Sequence, residues 1–336
     1  MNDYSFIPQR ITGRTLLVVE GYHEKEELFF FLLRCFPEIN ISTDDILIYK
    51  TTIYDLYEKI AEEYDDYWDD VDLPLLLTKE TDQSKLAKRD FTNIFLIFDY
   101  ERQHPTFSES KILKLQACFD DSTDRGKLYV NYPMVESYLD IKTLPIDVSF
   151  KNRCFPASFC RGAEYKKQFA GTKLFQLFTL KDSIGRQLSE YYNVLSDELC
   201  DACSNELLSI AEERERNLQS VLSKYVPAEK LCQAKKHFNS KLNAQYPDGF
   251  SYWEYVRTVF KQLIHNNICK AHYIQHGVFD IEYNDCSNAF NKIDLYRILE
   301  AQNVVSRNAA TGFIWVLNTS LFLVIEYNSQ LMKMNS

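Results

Sequence analysis

The sequence predicts an α/β fold in which a mainly parallel sheet, flanked by helices, is followed by a largely helical C-terminal part. Over about the first 130 residues, short apolar runs alternate with helical patterns, which is typical of strand–helix units that build a parallel sheet. After Lys142 this alternation stops and long helical stretches follow. We therefore predict a sheet-containing domain over residues 1–141 and a mostly helical domain over residues 142–336, which would contact substrate, a partner or a second copy.

The first two strand–helix units are predicted from local patterns. Residues 15–19 form a continuous apolar run that ends abruptly at Glu20 and Gly21, as expected for a strand buried on both faces. A helix is predicted over residues 24–36, because acidic residues crowd its first turn and a very apolar body follows. A second strand, residues 45–49, precedes a helix whose apolar residues share one face: Ile53, Leu56, Tyr57, Ile60 and Tyr64.

The third and fourth strands are predicted at residues 93–98 and 127–130, with a helix over residues 108–119 between them. The third strand ends at Asp99. In the C-terminal part, long helices are predicted over residues 180–225, 228–243 and 251–271. Two apolar runs, residues 311–317 and 320–325, follow near the end of the sequence, and their pattern leaves open a hairpin or a terminal helix with a strand.

Composition excludes several classes of protein. The chain has 336 residues, of which 46% are hydrophobic and 26% charged, as in folded globular proteins. Its nine glycines form no G-x-G-x-x-G and no P-loop motif, so we do not expect a Rossmann dehydrogenase or a P-loop ATPase. The longest apolar run, residues 28–33, is far shorter than a membrane span, and the first residues lack a signal-peptide pattern. We expect a cytoplasmic protein without membrane contact.

Charge is distributed unevenly along the chain. Residues 1–140 carry 28 acidic and 15 basic side chains, a net charge of -13, whereas the remainder carries 20 acidic and 23 basic ones, a net charge of +3. Residues 62–72 are the most acidic stretch, which we interpret as a solvated helix end and loop rather than a partner or metal patch. Any nucleic acid would have to be held by the second part, by a partner or by bridging cations. Basic residues of the second part could supply phosphate contacts or, equally, form a solvated helical surface: Lys166, Lys167, Lys173, Lys224, Lys230, Lys235, Lys236, Lys241, Arg257, Lys261 and Lys270.

Cysteine and histidine patterns favour ordinary structural roles. Nine cysteines in a chain of this size predict free thiols. Cys200 and Cys203 form the only C-x-x-C pair, which we interpret as helix-surface thiols because no second pair stands at a zinc-site distance. Three histidines in the C-terminal part are interpreted as surface or helix-end residues rather than zinc ligands: His265, His272 and His276.

Acidic side chains follow two of the predicted strands at the point where each strand ends. Glu20 and Asp99 come directly after apolar strands, and parallel strands bring their carboxyl ends to one edge of the sheet. Glu101 lies two residues beyond Asp99, so in an extended segment both carboxylates would point to the same side. Glu24 opens the first helix and faces the same crevice.

Such a set of carboxylates is suited to a divalent cation. Like charges at close range repel unless a cation lies between them, and all-oxygen ligands suit Mg²⁺ or Mn²⁺. The chemistry associated with such a site is phosphoryl transfer. We predict that Glu20, Asp99 and Glu101 hold the metal.

These motifs resemble those of the TOPRIM superfamily, whose small doubly wound sheet carries a Glu after its first strand and an acidic pair after a later one. The matching segments are residues 16–24, Leu-Leu-Val-Val-Glu-Gly-Tyr-His-Glu, and residues 94–101, Ile-Phe-Leu-Ile-Phe-Asp-Tyr-Glu. The sequence is most similar to TOPRIM nucleases of phage defence, namely the OLD family and the effector of PARIS systems, which works beside a separate ABC-type ATPase. The resemblance implies a further acidic residue after the next strand, for which Glu136 is the candidate.

Residues beside the acidic motifs have two possible roles. Arg102 could stabilise phosphate charge, and His104 could move a proton, or both belong to a polar loop. His23, beside Glu24, has the same two interpretations. Tyr100 lies between the acidic pair and is expected to pack into the protein rather than act as a nucleophile.

The first hypothesis is therefore a metal-dependent TOPRIM nuclease that cuts RNA, such as tRNA, or DNA, and serves as the toxic effector of an anti-phage system. Glu20, Asp99 and Glu101 would hold Mg²⁺ or Mn²⁺, with Glu24 and Glu136 assisting. An ABC-type ATPase partner is expected, and the oligomeric state is left open, with a homodimer as one alternative. The alternative hypothesis is a non-catalytic TOPRIM-like subunit that docks to and regulates an ATPase.

Overall fold

The computed structural model describes residues 14–65, 67–79, 86–143, 148–158, 162–308 and 310–333. Its main element is a five-stranded sheet with the strand order β2-β1-β3-β5-β4. The strands are β1 Arg14–Val19, β2 Ile46–Ile48, β3 Phe91–Asp99, β4 Asp120–Asp121 and β5 Gly126–Asn131. All neighbouring pairs are parallel except β4 with β5. The predicted α/β class, with a mainly parallel sheet flanked by helices and a helical C-terminal part, is confirmed.

The register of the sheet aligns its central strands closely. Leu17 of β1 lies opposite Ile46 on one side and Phe95 on the other, and Phe95 lies opposite Lys127 of β5. Successive residues of β1 and β3 are buried, which requires cover on both faces of the sheet. This burial is the reason that the strands appear in the sequence as continuous apolar runs. The two-residue strand β4 was not predicted, because so short a strand has no pattern.

Helices connect the strands of the first part. A π-helical segment, Glu24–Phe29, leads into α1 Phe30–Cys35, so the predicted first helix is present with a widened first half. The others are α2 Ile53–Tyr64, α3 Leu73–Thr78 and α4 Glu109–Cys118. Thr52 is the N-cap of α2: its side chain accepts from the Asp55 amide, and the Asp55 carboxylate accepts from the Thr52 amide. This capping box sets the start of the helix.

The C-terminal part consists mainly of helices. They are α5 Gly162–Lys166, α6 Lys173–Phe178, α7 Leu180–Tyr192, α8 Asp197–Leu208, α9 Arg214–Leu222, α10 Ala228–Gln245, α11 Tyr252–His276, α12 Cys286–Phe290, α13 Leu295–Ser306 and α14 Phe322–Tyr327. The predicted helical stretch 180–225 is largely helical but is divided into three helices. Asn193 and Glu213 adopt left-handed conformations that interrupt the helical path. No described helix has both the length and the apolar character needed to span a membrane.

The end of the chain resolves the alternative left open by its sequence pattern. Strand β7, Phe313–Trp315, pairs antiparallel with β6, Cys154–Pro156, and the second apolar run becomes a turn and α14. A hairpin does not form, because the intervening polar residues bind elsewhere. Thr319 Oγ1 donates to the Val130 carbonyl over 2.8 Å, and Ser320 Oγ contacts Asn131 Oδ1 over 2.8 Å.

The sheet and the C-terminal helices share one continuous apolar core. Strand β5 is extended by a bridge in which the Tyr132 and Leu317 backbones exchange hydrogen bonds of 2.9 Å. Helix α13 packs against α4 and α11. Contacts therefore cross the predicted boundary between residues 141 and 142 in several places, and that boundary stays a prediction.

Candidate metal centre

Glu20 and Asp99 meet at the carboxyl edge of the sheet. Glu20 follows the last residue of β1, and Asp99 is the last residue of the neighbouring parallel strand β3. The Asp99 backbone amide donates to Glu20 Oε2 over 3.2 Å. Two carboxylates 79 positions apart in the chain are thus brought together by the strand order.

Asp99 is buried, with 7% of the residue exposed. Its Oδ1 accepts from the Val135 amide over 2.7 Å, at the start of a 3₁₀ turn formed by Val135–Leu139. Burial raises the pKa of Asp99 well above its ordinary value, and the charges of Glu20 and Glu24 raise it further. A cation at this position would favour the ionised form.

Glu24 turns back from the π-helical segment toward the same edge. Its side chain is buried, and Oε2 accepts from the Gly21 amide over 2.9 Å. A Cβ at position 21 would lie 3.2 Å from that oxygen, so the glycine permits the close approach. Burial raises the pKa of Glu24, and the charge of Glu136 adds to this effect.

The Glu20 carboxyl also has a raised pKa. Burial, followed by the charge of Glu101, raises its pKa to about 8, against the smaller opposing effect of the hydrogen bond from the Asp99 amide. A group with this pKa holds a proton near neutral pH unless a cation is close.

Glu101 does not lie in an extended segment, so the expected geometry of the acidic pair is wrong. Its φ is 38°, and its carbonyl accepts from the His104 amide over 2.8 Å, because the chain turns directly after β3. The side chain still contributes charge beside Glu20. Its Oε2 is buried and makes no hydrogen bond, and burial raises its pKa, with Asp55 adding a smaller effect.

Glu136 also lies at this edge, on the turn that follows β5. The residue is 4% exposed and forms an ion pair with Lys166 of α5. Its second oxygen, Oε2, is buried and makes no hydrogen bond. Two buried carboxylate oxygens without a donor, one on Glu101 and one here, are unusual in folded proteins and fit a hard cation.

A different trio has the closest ligand atoms. Within the described residues, the one group of three whose ligand atoms all lie within 4.8 Å of one another is His23, Glu27 and Glu136. His23 Nδ1 lies 3.1 Å from Glu27 Oε1, one helical turn away. The predicted ligands Glu20, Asp99 and Glu101 do not reach that mutual separation. Glu27 was missed, although its position four residues after His23 placed both on one helix face.

The residues next to the acidic pair contact other parts of the protein. Arg102 Nε donates to Ser306 Oγ over 3.2 Å, and the guanidinium lies over the Phe107 ring. His104 stacks on Tyr54 and contacts Thr106 Oγ1 over 2.7 Å. In this arrangement their side chains support the loop.

Tyr100 is fully buried, as expected for a packing residue. Its hydroxyl donates to Asn303 Oδ1 over 2.6 Å and lies 3.0 Å from Ser306 Oγ. Its carbonyl accepts from the Tyr54 hydroxyl over 2.9 Å. The backbone that carries Asp99 and Glu101 is therefore held from two sides.

The remaining histidine, cysteine and acidic candidates have local partners. His265 Nε2 contacts the Ile281 carbonyl over 2.9 Å. Among the described residues, His265, His272 and His276 form no ligand group. The eight described cysteines are free thiols, as predicted, but Cys200 and Cys203 are buried in α8 rather than on its surface, because both positions fall on its packed side. In the acidic stretch, Glu63 pairs with Lys79.

Many of the basic residues proposed for nucleic-acid contact bind within the fold instead. Lys270 and Lys261 are buried and donate to backbone carbonyls. Arg257 binds the Cys35 carbonyl and Glu38. Lys167, Lys173 and Lys236 remain exposed.

The possible metal ligands at this edge are thus oxygen atoms of five carboxylates. Four of them have raised pKa values, namely Glu20, Glu24, Asp99 and Glu101, and the fifth is Glu136. Such a set fits Mg²⁺ or Mn²⁺ better than a soft metal. No family model, curated protein or solved structure matches the chain.

Proposed function

We propose that the chain is a metal-dependent TOPRIM-like nuclease that hydrolyses phosphodiester bonds of RNA or DNA. The observation that carries the proposal is the hydrogen bond from the Asp99 amide to Glu20 Oε2. It places the half-buried Glu20 carboxylate against the backbone of the buried Asp99 at one sheet edge, where the pKa values of both side chains are raised. Glu20, Asp99 and Glu101 would hold Mg²⁺ or Mn²⁺, with Glu24 and Glu136 assisting. Separated acidic residues converge in this way where a cation stabilises developing charge.

The chain's own residues have distinct parts in this mechanism. When bound, the metal lowers the pKa of an attacking water and stabilises the leaving oxygen. The Val135 and Gly21 amides orient Asp99 and Glu24. Lys166 offsets the charge of Glu136. Tyr100 fixes the loop of Glu101 through Asn303.

The wider role is also a proposal. The resemblance of the sequence motifs to those of TOPRIM nucleases supports a substrate that is RNA, such as tRNA, or DNA. It also supports an ABC-type ATPase partner and a toxic effector role in phage defence. The absence of a nucleotide-binding loop in the sequence means that ATP-driven sensing would come from the partner.

The test compares wild type with Glu20→Gln and Asp99→Asn, which remove charge and keep shape. Cleavage of RNA and DNA is measured with Mg²⁺, with Mn²⁺ and with EDTA, with and without candidate ATPase partners, and toxicity is measured in cells. Glu229→Gln, an exposed carboxylate on α10, is the matched control. We expect metal-dependent cleavage in wild type and the control, and a loss of about a hundredfold or more in both site variants.

Circular dichroism and thermal melting establish that each variant is folded. If folded Glu20→Gln and Asp99→Asn cut as well as wild type, the carboxylates are not catalytic and the nuclease proposal fails. Partner binding without any cleavage would favour the interaction-subunit hypothesis.

A further inference from the structure

An exposed aromatic ring lies beside the carboxylates of the candidate metal centre. Tyr22 is 54% exposed and stands in the short turn between Glu20 and Glu24. Two residues span about 7 Å at most, so the Tyr22 backbone lies within that distance of both. The Gly21 amide, which donates to Glu24, fixes the turn. The ring is therefore presented to solvent at a fixed position next to the carboxylates.

A lysine from the neighbouring strand end contacts this ring. Lys50 comes two residues after β2, and its amide donates to the Glu20 carbonyl over 2.8 Å. Its Nζ lies 5.7 Å from the centre of the Tyr22 ring, within the range of a cation–π contact. Among the residues that the structure describes, no carboxylate is close enough to Lys50 for an ion pair. The residue is exposed, so its ammonium is available to an anion.

The backbone of Lys50 has a conformation that a lysine does not favour. Its φ is 67°, in the left-handed region where most residues other than glycine are uncommon. The bond to Glu20 and the cap of α2 at Thr52 hold it there. Glycine would adopt this conformation with less strain, and strained residues cluster at ligand-binding sites. The lysine at this position therefore points to a use for its side chain.

A ring and an unpaired ammonium in contact match two groups of a single-stranded nucleic acid. Aromatic side chains stack on unpaired bases of any type, and lysine contacts phosphate. Inside a duplex both faces of a base are covered by its neighbours, so a ring at the protein surface stacks on unpaired or splayed-out bases. The first 140 residues have a net charge of -13, so a cation at this edge offsets repulsion of the phosphates.

We propose that Tyr22 and Lys50 bind a single-stranded segment of RNA or DNA. A base stacks on the Tyr22 ring, and a neighbouring phosphate lies at the Lys50 ammonium. This contact places the adjoining phosphodiester beside Glu20 and Glu24. Both are positioning residues and take no part in bond cleavage. The substrate class rests on the proposed function, whereas the binding is measured without cleavage.

Fluorescence anisotropy of the full-length protein with short labelled oligonucleotides tests this contact. The ligands are single-stranded RNA, single-stranded DNA, a DNA duplex and a strand of abasic residues, which keeps the phosphates and lacks the bases. Binding is measured in EDTA and again with Ca²⁺, and a gel confirms that the strands stay intact. We expect saturable binding of a single strand that is tighter than binding of the duplex, and the two single strands identify which sugar is preferred.

Substitutions separate the base contact from the phosphate contact. Tyr22→Ala should weaken binding of the base-containing single strand about tenfold and leave the abasic strand unchanged, whereas Tyr22→Phe keeps the ring and should bind like wild type. Lys50→Gly, which suits the left-handed backbone, should weaken binding of both strands. It should also lower the slope of log affinity against log salt by about 0.7, and Lys50→Arg should retain that slope.

Tyr67→Ala is the control for loss of an exposed ring. Tyr67 is 73% exposed and follows the far end of α2, about 18 Å along the helix from the carboxyl edge, so its substitution should not change binding. Thermal melting establishes that each variant is folded.

Equal binding of the base-containing strand by Tyr22→Ala and wild type overturns the stacking contact. An unchanged salt slope in Lys50→Gly overturns the phosphate contact. A preference for the duplex, or no saturable binding of a single strand in either condition, overturns the substrate class. A protein that binds single strands through Tyr22 but cuts none retains this inference and loses the proposed function, so the two failures are distinct.

Discussion

The Tyr100 hydroxyl donates a 2.6 Å hydrogen bond to Asn303 Oδ1, a residue 203 positions later in the chain. Both groups are buried, and the bond joins the loop after β3 to helix α13. Glu101, the next residue, adopts a left-handed backbone conformation at φ 38°, which is uncommon for a residue other than glycine. The C-terminal part therefore holds the Glu101 backbone in a conformation that a glutamate does not favour by itself.

Removal of this hydroxyl should weaken both stability and the site. Tyr100→Phe leaves the Asn303 oxygen without its donor, so we expect the free energy of unfolding to fall by about 1–3 kcal/mol. Chemical denaturation measures this, with Tyr67→Phe as the control because Tyr67 is 73% exposed. If the two variants unfold alike, the bond does not hold the loop.

The carboxylates at the sheet edge should make stability depend on pH and on divalent cations. The pKa of Glu20 is raised from 4.5 to about 8 in the folded protein. Between these values the folded state binds more protons at Glu20 than the unfolded state does. The contribution of this group to the free energy of unfolding is therefore fully present below about pH 4.5 and is lost as the pH rises through about 8. In EDTA, the melting temperature should fall over this range, and Mg²⁺ or Mn²⁺ should restore it at the upper end.

Glu20→Gln separates this effect from other titrations. The variant keeps the hydrogen-bond acceptor and loses the charge, so we expect it to melt at a higher temperature than wild type near pH 8 in EDTA. Its gain in melting temperature from added metal should be smaller. A pH profile identical to that of wild type would contradict the raised pKa.

Lys166 should offset the charge of the buried Glu136. Lys166→Met leaves that carboxylate without its partner, and because the lysine side chain is 38% exposed, we expect a loss of about 1–2 kcal/mol rather than that of a fully buried pair. The double variant Lys166→Met, Glu136→Gln should recover most of the loss in a denaturation-based double-mutant cycle. Additive effects would show that the pair is not coupled.

Lys270 should be essential for the packing of the segment before β6. Its Nζ donates to the Phe150, Lys151 and Arg153 carbonyls over 2.9, 2.6 and 2.8 Å. Lys270→Met removes all three donors inside the protein, so we expect a loss of about 2–4 kcal/mol. Thermal and chemical unfolding measure it against Lys236→Met, an exposed lysine on α10, whose substitution should change stability by less than about 0.5 kcal/mol.

Part of this fold could be predicted because its signals are local. A strand covered on both faces must be apolar at every position, so β1 and β3 stand out as continuous runs. Parallel strands also deliver their carboxyl ends to one edge, which was enough to expect Glu20 beside Asp99. Periodicity likewise predicted the helix after β2, and the residues that carried this prediction lie within the observed α2, Ile53–Tyr64.

The features that could not be predicted depend on partners far away in the chain. The turn at Glu101, the pairing of Lys166 with Glu136 and the burial of Cys203 have no signature in the neighbouring residues. The spacing of Glu27 from His23 was a local signal, but only the fold brings Glu136 to this pair.

The sequence by itself determined which segments are buried and where acidic residues end the strands, because a residue's hydrophobicity and its spacing from neighbours act locally. The tertiary structure decided which side chains meet, how the loop after β3 turns and that α13 holds it through Tyr100. Hydrogen bonds and ion pairs of this kind depend on distances between atoms remote in the chain, and those distances exist only once the core has packed.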